Sequence, residues 1–189
     1  MKYQVLEMVG ISGEFPVNQL HRLIESSSYA EKIITELKNE KLIRTHYRDR
    51  LRGYRLTKHA KELLLAQNMP RFHDYLTGNT ETNLIRSELP RRIRLHQKAE
   101  IYLTLLHANI PIFYDVKPNI FSRTCEADSS FIQDLPLFYS SREIKTLGYD
   151  TTKIRNSRSV GILLSPQCVY ALYNTGNSVL KWEYKTEVR

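Results

Sequence analysis

The first 66 residues contain three successive segments in which apolar residues recur every three or four positions. This spacing gathers apolar side chains on one helical face and predicts three short helices, over residues 3–9, 17–24 and 28–41. In the third helix, the residues expected to face inward are Ala30, Ile33, Ile34 and Leu37, and those expected to face outward are Ser27, Tyr29, Lys32 and Lys38.

The boundaries of these helices follow from glycine, proline and serine positions. Gly10 and Gly13 are expected to break the first helix. Pro16 suits the first turn of the second helix, where its missing N–H has no partner to lose. Ser28 precedes Glu31 by three positions, which is the spacing of a capping box. The sequence therefore predicts that the third helix begins at Ser28.

The next segment changes from helical to extended spacing. Leu42 and Ile43 lead into a stretch typical of a β-strand, residues 48–53 can form a turn, and residues 54–56 can return antiparallel to the first strand. Thr57 can then cap a fourth helix that runs to Ala66. The segment from Leu42 to Thr57 therefore predicts a β-hairpin.

Positive charge is concentrated in that hairpin. The whole chain has a formal net charge of +8. Residues 1–40 contain four Lys or Arg and six Glu, whereas residues 41–61 contain eight Lys or Arg and only one acidic residue, Asp49. A focused basic segment favours a polyanionic partner at that position.

The order of three helices, a basic hairpin and a further helix resembles the winged-helix family. The similarity rests on EKIITELKNEKLIRTHYRDRLRGYRLTKHAKELL and covers about 66 of the 189 residues. It implies that the start of the third helix enters the major groove of duplex DNA, while the hairpin, called the wing, lies against the backbone or the minor groove.

Candidate DNA contacts follow from this resemblance. Arginine guanidinium groups pair with phosphate oxygens, and exposed residues at the start of the third helix can contact bases. The predicted phosphate contacts are Arg44, Arg48, Arg50 and Arg52; the predicted base contacts are Ser27, Tyr29 and Lys32; and Ser28, His46 and Tyr54 complete the predicted interface. Tyr47 is at least equally consistent with packing behind the wing.

A second domain is predicted after residue 88. The predicted domains are the winged helix at 1–68, a linker at 69–88 rich in polar residues, and an α/β domain at 89–189. A long helix is predicted over 89–108. Its basic start is equally consistent with a solvated surface and with phosphate contacts; the residues are Arg86, Arg91, Arg92, Arg94 and Lys98.

Three β-prone runs follow near the C-terminus, at Val160–Leu164, Cys168–Tyr173 and Val179–Lys185. This order is similar to the replication-relaxation family of plasmids and integrative elements, and to a restriction-endonuclease-like core. The predicted fold is therefore α+β: an N-terminal winged helix-turn-helix followed by a smaller α/β domain resembling a degenerate restriction-endonuclease-like core.

Nuclease activity is disfavoured by one residue of that core. The resemblance implies a Pro-Asp on one strand and a Glu-x-Lys on the next, which hold Mg²⁺ through carboxylates. Glu183 and Lys185 supply the second motif, but Gln167 follows Pro166, and a neutral amide binds a hard cation poorly. A second Glu-x-Lys at 143–145 has the pattern of a surface strand. No enzyme activity, metal or cofactor is therefore expected.

The sequence predicts an accessory protein of a mobile genetic element that binds double-stranded DNA and acts in replication, transfer or their regulation. Replication, transfer or recombination proteins are the expected protein partners, and a homodimer is a further expectation. The alternatives are a transcription regulator with a ligand-sensing or dimerisation domain, a Mg-dependent nuclease, and a protein-interaction module. Glu7 and Glu14 interrupt the start of the chain, which predicts a cytoplasmic protein without a signal peptide or membrane segment.

Overall fold

A computed structural model of the chain describes residues 1–77, 87–118, 136–146 and 159–174. Within these residues it contains seven α-helices and two antiparallel three-stranded sheets, so the predicted α+β class is confirmed at this level. The chain divides into two compact units, Met1–Thr104 and Leu105–Arg189.

In the first unit, helices precede and follow the strands of a small sheet along the chain. Its elements are α1 (Lys2–Ser12), β1 (Phe15–Pro16), a 3-10 turn (Val17–Gln19), α2 (Leu20–Leu23), α3 (Ser27–Asn39), β2 (Ile43–Arg48), β3 (Leu51–Leu56), α4 (Lys58–Gln67), α5 (Met69–Leu76) and α6 (Leu89–His107), of which residues 89–104 belong to this unit. The strand order is β1-β3-β2, so β3 is the central strand.

The first helix continues through Gly10, where the sequence predicted a break. Gly10 is buried, and a β-carbon there would lie 3.4 Å from a methyl group of Leu56 and 3.5 Å from one of Leu64. These are ordinary van der Waals distances, and Gly10 is one of the buried residues of the helix. Gly13, with φ +82°, ends it instead, because this left-handed conformation costs glycine little.

The start of α3 also differs from the prediction. Its N-cap is Ser26, whose hydroxyl accepts a hydrogen bond from the Tyr29 backbone N–H at 3.4 Å. The predicted cap, Ser28, lies inside the first turn, where its hydroxyl is 3.3 Å from that of Ser26. Thr57 is confirmed as the cap of α4, since its hydroxyl accepts from the Ala60 N–H at 3.2 Å.

The predicted inward face of α3 is confirmed, because Ala30, Ile33, Ile34 and Leu37 are all buried. These side chains join a core to which α1 contributes most of its length. Within that core the Tyr3 ring meets the Phe72 ring edge-to-face, with 6.5 Å between centroids.

Part of the predicted linker is a helix. In α5, which covers 69–76, Phe72 and Tyr75 are buried. The Asn68 side chain caps this helix by accepting from the Arg71 N–H at 3.1 Å, and Pro70 sits in its first turn, where proline is tolerated. The Arg71 guanidinium also lies 2.5 Å from the carboxylate of buried Glu7 in α1. Residues 69–76 of the predicted linker therefore form a helix with a buried side.

The second unit contains an antiparallel sheet in the order β4-β5-β6. Its described elements are a 3-10 turn (Tyr114–Val116), β4 (Leu137–Ser140), α7 (Ser141–Thr146), β5 (Ser159–Leu164) and β6 (Val169–Tyr173). The predicted strands at 160–164 and 168–173 are confirmed as β5 and β6, while the predicted strand at 179–185 lies outside the described residues.

The second Glu-x-Lys, predicted to be a surface-strand pattern, belongs to helix α7 instead. The Glu143 carboxylate accepts from the Ser140 N–H at 2.7 Å, and Ser140 Oγ accepts from the Glu143 N–H at 3.2 Å. This reciprocal pair is a capping box. Glu143 is also buried against the Lys117 ammonium at 2.5 Å. The Ser140 N–H and the Lys117 ammonium together compensate the burial of the Glu143 carboxylate.

Candidate nucleic-acid interface

The β2–β3 hairpin ends in a two-residue turn. The strands pair from Ile43 with Leu56 to Arg48 with Leu51. The turn residues Asp49 and Arg50 have φ values of +52° and +61°. Positive φ at both central positions is typical of the type I′ turn, which matches the twist of a hairpin. The turn is therefore shorter than the predicted residues 48–53, and it brings three arginines together at the tip.

Most of the predicted DNA contacts are exposed to solvent. They are Ser27, Ser28, Tyr29, Lys32, Arg44, Arg48, Arg50 and Arg52. Arg48 lies 3.5 Å from the carboxylate of Asp49. Among the described residues, Arg44, Arg50 and Arg52 form no ion pair. Their positive charges are therefore available to a partner.

Two predicted contacts are not on that surface. Tyr54 is 5% exposed, and the Lys38 ammonium lies over its ring at 5.6 Å from the centroid. His46 is half-buried, and its Nε2 atom is buried without a hydrogen-bond partner among the described residues. Burial and the nearby Arg55 and Arg92 lower the pKa of His46, which favours a neutral imidazole. Neither residue therefore belongs to the exposed surface of the candidate interface.

The face of the hairpin that carries Gly53 is covered by Glu14. A β-carbon at position 53 would lie 2.5 Å from the Glu14 carboxylate. Only glycine leaves room for this side chain. Glu14 itself is fully buried in the segment between α1 and β1, so its carboxylate requires several partners in place of water.

Three basic side chains supply those partners. Arg55 donates to the Glu14 carboxylate from Nε at 2.7 Å, Arg92 from Nη2 at 2.7 Å, and His96 Nε2 lies 2.8 Å from it. Burial alone would raise the pKa of Glu14, but the hydrogen bonds from His96, Arg92 and Arg55 together lower it to about 2. We call Glu14, Arg55, Arg92 and His96 the buried charge cluster.

Arg92 connects this cluster to the hairpin backbone. Its guanidinium donates to the carbonyl oxygens of Arg48 at 2.6 Å, Leu51 at 3.0 Å and His46 at 3.2 Å. Arg92 is 0% exposed. The sequence grouped it with a basic surface patch on α6, and this interpretation was wrong. Its donors are used to hold both sides of the hairpin turn.

The pairing of the buried charge cluster was not predicted from the sequence. Glu14 and Arg92 are separated by 78 positions, and neither belongs to a recognised motif. One feature could have drawn attention to Glu14, namely a single acid between Gly13 and the apolar Phe15. An acid in such a position is expected to have a basic partner when it is buried.

Tyr47 was also left out of the predicted interface. Its side chain is 68% exposed, more than that of any other aromatic residue in the described part of the chain. It lies directly opposite Arg52 in the hairpin. The alternative in which it packs behind the hairpin is therefore wrong.

The residues of the nuclease-like motif are only partly described. Gln167 lies in the turn between β5 and β6 and is exposed, whereas Glu183 and Lys185 lie outside the described residues. In the described ranges, no three side chains of His, Cys, Asp or Glu come together in a way that could hold a metal ion. No helix within these ranges is long and apolar enough to cross a membrane.

Comparison of the chain with protein-family models, with curated proteins and with solved structures finds no match.

Proposed function

We propose that the first unit is a winged helix-turn-helix that binds double-stranded DNA. The exposed start of α3 would enter the major groove, and the β2–β3 hairpin would be the wing that contacts the sugar-phosphate backbone. This assignment combines the order of elements with the position of the exposed charges.

The observation that carries the proposal is the group of four exposed arginines on one short hairpin. Arg44, Arg48, Arg50 and Arg52 accompany a single acid, Asp49. Like charges held this close repel each other, and a polyanion relieves that repulsion. Arginine also donates two parallel hydrogen bonds to a phosphate group. A solvated basic hairpin without a partner would gain neither benefit.

The buried charge cluster supports the proposal in a second way. Arg92 holds the carbonyl groups on both sides of the turn, so the backbone that carries the exposed arginines is fixed before any partner binds. Less conformational entropy is then lost on binding, which increases affinity.

The wider role rests on the resemblance stated above. We propose an accessory protein of a mobile genetic element, whose second unit recruits replication, transfer or recombination proteins, and not a nuclease, because Gln167 stands where a metal ligand is needed.

The proposal is tested by fluorescence anisotropy with a duplex of random sequence over a series of salt concentrations. Each phosphate contact lowers the slope of log K against log salt by about 0.9. Replacing both Arg50 and Arg52 by Ala should therefore make that slope less negative by about 2 and weaken binding equally for unrelated sequences.

The control replaces Lys58 and Lys61 of α4 by Ala, which changes the net charge by the same amount away from the hairpin. It should change the slope much less. Wild-type affinity that does not change with salt would contradict phosphate-driven binding, and equal effects of the two double variants would contradict the role of the hairpin.

A further inference from the structure

The wing has an exposed aromatic ring that phosphate binding does not explain. Tyr47 exposes 68% of its surface in a regular β-ladder, one residue pair before the turn. Hydrogen bonding to a phosphate would require only a hydroxyl group, and solubility would favour a polar residue. An aromatic ring kept in water on a small sheet suits a partner with a flat apolar face.

The position of the Tyr47 ring in the hairpin limits which partners it can contact. Side chains alternate between the two faces of a strand, so Tyr47 lies on the face opposite Gly53 and the Glu14 carboxylate. On its own face it has Arg52 as its cross-strand neighbour, and Tyr54 lies next along β3. Lys38 of α3 lies over the Tyr54 ring on this same face. The Tyr47 ring is therefore on the side of the wing that faces α3.

The positive charge next to the Tyr47 ring favours a nucleic acid over a protein as its partner. The exposed side chain opposite Tyr47 on the same face of the hairpin is Arg52, which forms no ion pair among the described residues. A flat apolar face that approaches among guanidinium groups must itself carry negative charge. A nucleobase on its phosphate backbone meets both conditions.

A continuous duplex offers no such face, because each base is already stacked between its neighbours. We propose that Tyr47 stacks on an unpaired base next to the bound duplex, so that the preferred target is DNA with a short single-stranded gap. Aromatic side chains stack on all four bases, and the contact tolerates any sequence. Arg52 would hold the phosphate of the same nucleotide. This inference rests on the proposed function.

The test uses the full chain and three probes in anisotropy measurements: a continuous duplex, the same duplex with a short gap of thymidines, and the same duplex with a gap of abasic sites. The two gapped probes carry the same phosphates and differ only in their bases. Wild-type protein should bind the thymidine gap about tenfold more tightly than the abasic gap.

Substitutions at Tyr47 test whether its ring causes this difference in affinity between the two gapped probes. Tyr47→Ala should abolish it while leaving affinity for the continuous duplex nearly unchanged, and Tyr47→Phe should keep it, because the phenyl ring still stacks. The matched control is Tyr170→Ala, which removes another exposed tyrosine, from β6, and should change nothing.

The outcomes test the stacking proposal and the DNA-binding function separately. Equal binding of the two gapped probes by wild-type protein, or a difference that survives in Tyr47→Ala, overturns the stacking proposal. Loss of the difference in Tyr47→Phe assigns the contact to the hydroxyl group and overturns it as well. Absence of binding to all three probes overturns the DNA-binding function itself.

Discussion

At the scale of single residues, replacing Arg92 is expected to destabilise the first unit strongly. Its guanidinium is fully buried and donates to Glu14 and to three hairpin carbonyls. Removing one partner of a buried ion pair commonly costs about 3–5 kcal/mol. Arg92→Met should therefore lower the free energy of unfolding by about that amount, measured by urea denaturation.

The neighbouring Arg94 provides the control for this prediction. It lies on the same helix but is exposed, and substitutions at such positions usually change stability by about 0.5 kcal/mol or less. Equal stability of Arg92→Met and Arg94→Met would show that the buried charge cluster contributes little to the fold.

Glu14 makes the stability contributed by the buried charge cluster depend on pH. Its pKa in the folded protein is about 2, below the ordinary value of 4.5. The carboxylate therefore stabilises the fold above pH 4.5, and this contribution is lost as the pH falls toward about 2. From 1.36 kcal/mol for each pKa unit, it amounts to roughly 3 kcal/mol.

The measurement compares wild-type protein with Glu14→Gln in urea between about pH 7 and pH 2. The difference in unfolding free energy should shrink through the acidic part of this range. Parallel curves would contradict the low pKa. Glu62→Gln, at an exposed position of α4, serves as the control and should follow the wild-type curve.

At the scale of elements, the turn of the β2–β3 hairpin is expected to lower stability while it supports the proposed binding. Arg50 has φ +61°, a conformation that costs a non-glycine residue roughly 1–2 kcal/mol. Arg50→Gly removes this cost together with a positive charge. We expect a higher Tm and a weaker affinity for duplex DNA, measured by thermal unfolding and by anisotropy.

Arg50→Ala separates these two effects. It removes the same charge but keeps a β-carbon at positive φ, so it should weaken binding without the gain in Tm. If Arg50→Gly and Arg50→Ala have the same Tm, the turn is not strained at this position.

Sequence reasoning located the elements that depend on local patterns. The hairpin followed from apolar residues and a turn that are close in sequence, and the cap at Thr57 from a single favourable residue. The cap of α3 was misplaced by two positions because Ser26, Ser27 and Ser28 are chemically equivalent there. Helix α5 was missed because Pro70 was interpreted as a linker signal and not as a first-turn residue.

The candidate interface was predicted in part, for a related reason. Exposure of Arg44 or Arg52 follows from charge alone. The burial of Tyr54 depends on α3, and that of Arg92 depends on Glu14, which is 78 positions away. Pairings over such distances are set by the three-dimensional packing, and no local pattern encodes them.

At the scale of the whole molecule, the first unit is expected to need more of the chain than the helix and hairpin pattern of residues 1–66 covers. A fragment of residues 1–77 retains the hairpin but lacks α6 and therefore two partners of Glu14. We expect it to be clearly less stable than a fragment of residues 1–107, as measured by urea denaturation followed by circular dichroism. Equal midpoints for the two fragments would contradict this expectation.

The distance in sequence between Glu14 and Arg92 also has a consequence for folding in time. The hairpin forms from neighbours, whereas the Arg92 contacts close a long loop, and contacts of this kind form late. During synthesis, the residues of the hairpin are made before Arg92, the residue that fixes its turn. A nascent chain halted just before α6 would already contain all four exposed arginines of the hairpin, but not the guanidinium that binds the carbonyl groups beside its turn.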